Sequence, residues 1–173
     1  MNVQEATTRR LPDLKERHLP ENCRETINTI LKETYGYEQF RNLEIYDDLS
    51  KGKEKLCISQ GQLIENVILE AEKAWKSETQ VDNILLTAPT GSGKSLLFQL
   101  PAIYLGKEYN LLTIVVSPLK ALIVDQVESL QELGYTRVAY ASSDLSPEQK
   151  MEVYRQVREG EIDLFYLSPE LLL

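Results

Sequence analysis

The segment "NILLTAPTGSGKSLLFQLP", residues 83 to 101, constrains this chain more than any other stretch. An apolar run leads into a loop ending Gly93-Lys94-Ser95, and an apolar stretch of helical character follows. Strand, glycine-containing loop and helix together make a phosphate-binding loop. Main-chain N–H groups and the helix N-terminus converge on phosphate oxygens, the lysine reaches the β- and γ-phosphates, and the hydroxyl after it ligates magnesium. The candidate site residues are therefore Thr90, Gly91, Ser92, Gly93, Lys94 and Ser95, with Lys94 as the catalytic cation and Ser95 as the metal ligand. ATP and Mg2+ are the expected cofactors. The strict pattern has glycine six residues before the lysine, where this chain has Ala88.

Such a loop needs a parallel sheet around it, and the rest of the chain is patterned accordingly. From residue 82 onward, short apolar runs alternate with amphipathic stretches, as in βαβ units. The runs are "NILLT" (83–87), "LLTIVV" (111–116), "RVAYA" (137–141) and "IDLFYL" (162–167), each read as a strand buried on both faces. Leu119, Leu122, Ile123, Val127, Leu130 and Leu133 recur at helical spacing. "SPEQ" predicts another helix, with Ser146 as N-cap, Pro147 at the first position and Gln149 completing a capping box. Ahead of residue 80 the texture is polar and charged. Helices are expected around Glu21–Thr34 and Gln60–Lys76, with a loose tail over the first 20 residues and a charged loop at 46–55.

Composition limits the partners. The 173 residues carry a net charge of −8, with 12 basic and 15 acidic side chains up to residue 80 and 7 and 12 after it. Neither half is a basic arm, so any nucleic-acid contact must come from positioned groups and not from bulk charge. No apolar run is long enough to span a bilayer and no secretory signal is evident, so no membrane partner and a cytoplasmic location are expected. Cys23, Cys57 and His18 have neither disulfide nor zinc spacing.

Downstream of the loop come "VVSPLKALIVDQVESLQELG" and "YASSDLSPEQKMEVYRQVREGEIDLFYLSPELLL". With A-x-T-G-x-G-K-S before them, in this order, these segments resemble the RecQ-like DNA helicases of superfamily 2. The resemblance is continuous from about Ile84 to Leu173. It implies a P-loop NTPase of RecA-like α/β fold, present as an incomplete first motor domain behind a mainly helical N-terminal region. The expected divisions are residues 1–33, 34–80 and 81–173. It further implies that Ser117, Pro118, Leu119, Lys120 and Gln126 (motif Ia) and Ser168, Pro169 and Glu170 (motif Ib) lie along a single-stranded DNA path, and that the complete enzyme moves 3'-to-5' at the expense of ATP. A bacterial member would be nucleoid-associated. Ser117-Pro118 and Ser168-Pro169 are each expected to close a strand and open a helix; Lys120 is either a phosphate contact or a solvated surface lysine.

Upstream, "GYEQFR" resembles the family's adenine-reading motif 0, implying that Tyr37 stacks on the base and Arg41 supports it, unless Tyr37 is a core residue. The family places a glutamine three residues after the arginine, where this chain has Glu44; Gln62 is the better adenine-reading candidate, with Gln60 next, if an insertion follows Arg41. No strand run ends in Asp-Glu, so the chain by itself is expected to bind nucleotide without hydrolysing it. A superfamily 2 translocase that does not unwind, or a non-enzymatic nucleotide-binding or regulatory module, are the alternatives.

Overall fold

The computed structural model describes residues 17–46, 55–76, 81, 83–86 and 90–172. They form α1 (Glu21–Tyr35), β1 (Asn42–Tyr46), β2 (Lys55–Ser59), α2 (Gln60–Trp75), α3 (Leu96–Tyr109), β3 (Thr113–Val116), α4 (Lys120–Glu132), β4 (Val138–Ala141), α5 (Pro147–Arg158), β5 (Leu164–Leu167) and a 3-10 turn (Pro169–Leu171). The chain divides into two compact units, Met1–Glu25 with Gln39–Phe98, and Thr26–Glu38 with Gln99–Leu173.

In the first unit, α2 starts where sequence chemistry places a start: Ser59 is its N-cap, with its hydroxyl accepting from the Gly61 N–H at 3.2 Å. Leu63, Ile64 and Ile68 recur on one side of the helix and are buried. Residues 17–20, expected to be part of a loose tail, are instead anchored to α2. Leu19 is buried and its N–H donates to Glu65 at 3.1 Å, while Arg17 pairs with the buried Glu70 at 2.7 Å. A buried carboxylate requires such partners, which here are Arg17 and Lys73. The charged stretch after Arg41 is an antiparallel hairpin, β1 paired with β2 from Asn42↔Ser59 to Tyr46↔Lys55. Most of the expected charged loop at 46–55 lies outside the described residues.

The second unit carries a parallel three-stranded sheet in the order β3-β5-β4. The central β5 is buried along its length, as an apolar run between two ladder partners should be. Phe165 and Leu167 pack with Ala139 and Ala141 against Val153 and Val157 of α5, and α4 lies on β4 and β5 through Ile123, Val127 and Leu130. The expected capping box at Ser146 is present in full: Ser146 N–H to Gln149 Oε1 at 2.9 Å, and Gln149 N–H to Ser146 Oγ at 3.2 Å.

Three expectations need correction. Residues 83–86 of the first predicted strand are not in a strand, and Leu85 is 91% exposed; Thr87 lies outside the described residues. An apolar run becomes a strand only when a neighbour satisfies its N–H and C=O groups, and no described strand pairs with this one. The β3 strand is not buried on both faces. It has one ladder partner, and Ile114 and Val116 are about half exposed. Finally, Ser117 does not open α4. Its N–H continues the ladder to the Leu167 carbonyl at 3.0 Å, so extended geometry persists and the cap position falls to Leu119, without a side-chain cap bond. Ser168-Pro169, by contrast, does close β5 and open a helical turn, with Ser168 at the cap position of the 3-10 turn and Pro169 its first residue.

Candidate functional site

The geometry of the candidate phosphate loop rests on two glycines. Gly91 and Gly93 have φ of 81° and 77°, a region where a side chain is strained. Between them sits Ser92, half-buried, and after them come the exposed Lys94 and half-buried Ser95 at the mouth of α3. The helix opens with short bonds from Leu96 N–H to the Gly93 carbonyl and from Leu97 N–H to the Lys94 carbonyl. Main-chain N–H groups at a helix mouth, an exposed cation and a hydroxyl form a donor set suited to a polyphosphate. For magnesium the loop offers the Ser95 hydroxyl. Thr90 lies at the start of the described loop and is exposed; Ala88 lies outside the described residues.

Gln60 links this loop to the segment ending at Arg41. It is 2% exposed, at the first position of α2. Its Oε1 accepts from the Arg41 N–H at 3.2 Å, its own N–H donates to the Arg41 carbonyl at 2.9 Å, and its Nε2 donates to the Ser92 carbonyl at 3.0 Å. A buried amide with a partner at each end is satisfied, and losing either partner costs roughly 1–3 kcal/mol. A Cβ at Gly93 would come within 2.6 Å of Gln60 Nε2, and one at Gly61 within 2.6 Å of the Phe40 ring. The loop, the start of α2 and the Phe40-Arg41 segment are therefore packed to contact. Because Arg41 bonds Gln60 across the base of the hairpin, looping out Asn42–Ser59 leaves Gln60, Gly61 and Gln62 as the next three residues after Arg41. Gln62 is half-buried on α2, and Arg41 is exposed. Tyr37, in the second unit, is 49% exposed and thus not a core residue.

At the carboxyl edge of the three-stranded sheet, the residues directly after β3, β4 and β5 are all serines: Ser117, Ser142 and Ser168. Pro118 and Leu119 are exposed, Pro169 is half-buried, and Glu170 is exposed. Lys120 is engaged there. Its ammonium donates to Ser143 Oγ and to Asp144 at 2.8 Å, and lies 3.7 Å from Glu170. The hydrogen bond to Asp144 raises the Lys120 pKa above its ordinary value, and the same bond holds the Asp144 carboxyl below the usual carboxylate range. Glu170 is lowered by its own backbone N–H first. Residues 117–120 and 168–170 therefore meet through one lysine, as neighbours along one edge. Sequence reasoning did not identify Asp144 and Ser143 as members of this group, because they belong to the loop after β4.

Gln126 is placed differently from its motif neighbours. Its Oε1 accepts from Nε2 of the buried Gln99 on α3 at 2.9 Å, and the same Nε2 donates to the Tyr166 hydroxyl at 3.0 Å. At the opposite edge Asp163 is 3% exposed and takes Arg137 through both oxygens at 2.7 Å, with the Tyr135 hydroxyl also at 2.7 Å. That carboxylate serves the fold: α3 passes so close that a Cβ at Gly106 would lie 2.3 Å from the Asp163 carboxyl carbon.

A family model described as DEAD/DEAH box helicase matches residues 68–173. Among curated proteins, the chain is similar to ATP-dependent DNA helicase RecQ of Synechocystis, 34% identical over 150 residues, covering 87% of this chain and 25% of that protein. ATP-dependent DNA helicase Q-like 5 of Arabidopsis thaliana is 32% identical over 86% of this chain and 13% of its own length. ATP-dependent DNA helicase RecQ of Bacillus subtilis is 32% identical over 83% of this chain and 19% of its own length. The chain thus spans a quarter or less of the length of these relatives.

Proposed function

The chain belongs to the DEAD/DEAH box helicase family as a RecQ-like member, and from that premise we propose that it is the nucleotide-holding part of an ATP-dependent DNA motor. The observation that carries this is the loop at 90–95, where two positive-φ glycines frame Ser92 and deliver Lys94 and Ser95 to the mouth of α3. Lys94 neutralises the β- and γ-phosphates, Ser95 offers its hydroxyl to Mg2+, and main-chain N–H groups supply the remaining contacts. When bound, the metal ion would draw charge from the phosphates.

Gln62 reads adenine in this account. Its amide can both donate to and accept from a base edge, and the closed hairpin restores the three-residue interval from Arg41 that the resemblance expects. Residues Ser117–Lys120 and Ser168–Glu170 form the DNA-facing edge. The strand is held there by positioned groups, Lys120 foremost, in keeping with a net charge of −8.

The chain by itself binds nucleotide without turning it over. A phosphate-loop motor anchors Mg2+ with an acidic group near the carboxyl end of an adjacent strand. Among the described residues the strands β3, β4 and β5 each run into a serine, Ser117, Ser142 and Ser168, and Asp144 and Glu170 nearby are engaged with Lys120. The alternative of a non-hydrolysing binding module thus describes this chain taken alone. Calorimetric titration with Mg-ATP tests the site. Lys94→Ala should weaken binding about tenfold or more, by losing a charge-assisted contact; an unchanged affinity would remove the loop from the account.

A further inference from the structure

The loop's shape depends on a residue outside it. The Ser92 carbonyl accepts a hydrogen bond from Gln60 Nε2 at 3.0 Å. In a trans peptide the C=O and the following N–H point in opposite directions. Turning the Ser92 carbonyl onto Gln60 therefore turns the Gly93 N–H the other way, away from α2. Gln60 is fixed in turn. It is almost fully buried, its Oε1 and its own N–H are both bonded to the Arg41 main chain, and Ser59 caps the helix turn it starts. Gly93 is what admits the Gln60 amide here, since a Cβ at that position would lie 2.6 Å from Gln60 Nε2.

We propose that Gln60 is a positioning residue for the phosphate loop, holding the Ser92–Gly93 peptide so that its N–H is presented to a nucleotide phosphate. This rests on reading residues 90–95 as a nucleotide-phosphate site. It separates two glutamines that lie two residues apart: Gln62 faces the base, while Gln60 acts on the phosphates and is indifferent to the base. The hairpin interrupts the sequence between Arg41 and Gln60, and its closed base passes the position of the Arg41 main chain through one side-chain amide to the loop.

Gln60→Glu isolates the contact, because a carboxylate still accepts from Arg41 N–H but cannot donate to the Ser92 carbonyl. Binding of ATP, GTP and inorganic tripolyphosphate, each with Mg2+, is measured by calorimetry on the whole chain, beside its thermal midpoint. The expected result is a roughly three- to tenfold loss, equal for all three ligands, as for one hydrogen bond. Burial raises the introduced carboxyl's pKa, and once protonated it can donate to Ser92. The loss relative to wild type should therefore shrink as pH falls from about 8 to about 5.5. Gln60→Leu should show the loss without the recovery, and Gln62→Ala should lower affinity for ATP only. A loss confined to ATP, no loss, or a loss that tracks a fallen thermal midpoint and does not recover at low pH would overturn the proposal. Lys94→Ala without effect on any of the three would instead remove the phosphate site itself.

Discussion

A lysine at the start of α4 shows how one side chain can serve two conditions. Lys120 is bound by Ser143 and Asp144 and lies near Glu170, so on the proposed reading a DNA phosphate would compete with carboxylates already in place. All these groups are solvent-accessible, and such pairs contribute little and are weakened by salt. Asp144→Asn removes one competitor and one negative charge. It should therefore raise affinity for single-stranded DNA by roughly two- to fivefold at low salt, with the gain fading as salt rises. Fluorescence anisotropy with a labelled oligonucleotide reads this directly, and a weaker or unchanged affinity would count against Lys120 as a phosphate contact. The sequence displays Lys120 and Lys94 openly, because lysines beside glycine or proline turns belong to local motifs. Asp144 and Gln60 act through partners 24 and 32 positions away. Their roles appear only once the chain is folded.

Elements were legible where their signals are local. The capping box at Ser146 lies within one helical turn and the apolar face of α4 repeats at i+3 and i+4, and α1, α2 and α5 formed close to their expected places. The hairpin was not legible, since "NLEIY" and "KLCIS" are short, mixed in charge and separated by a stretch without a two-residue turn signal. Residues 83–86 failed in the other direction. They are apolar enough for a strand, yet pairing is a property of neighbours and not of the run itself. The hairpin supplies its own prediction. Since Gln60 bonds Arg41 at the base of the hairpin, replacing residues 45–56 by Asn-Gly should retain Asn42–Glu44, the buried Ile58 and the Ser59 cap. Affinity for Mg-ATP should stay within about twofold of wild type, a change smaller than one hydrogen bond. A collapse of binding in a folded variant would make the far end of the hairpin part of the site.

At the scale of the whole molecule, the proposed reading divides the chemistry between the two units. The first joins the candidate phosphate loop to Arg41 through Gln60 and also carries Gln62; the second holds the sheet edge with Lys120, Asp144 and Glu170. In that unit, Leu112, Ile114 and Val116 at and beside β3, and Leu119 and Leu122 at the start of α4, are all at least 39% exposed. The α/β class was readable from alternating runs and helices. Which strands would pair was not, because it is set by long-range ladders that no local pattern encodes. The central claim is the proposal that this chain holds ATP phosphates without splitting them. A phosphate-release assay on the purified chain, with Mg-ATP at saturating concentration and single-stranded DNA added, tests it most directly. The account predicts no release above the rate of the Lys94→Ala variant, with or without DNA; release stimulated by DNA and abolished by Lys94→Ala would contradict it.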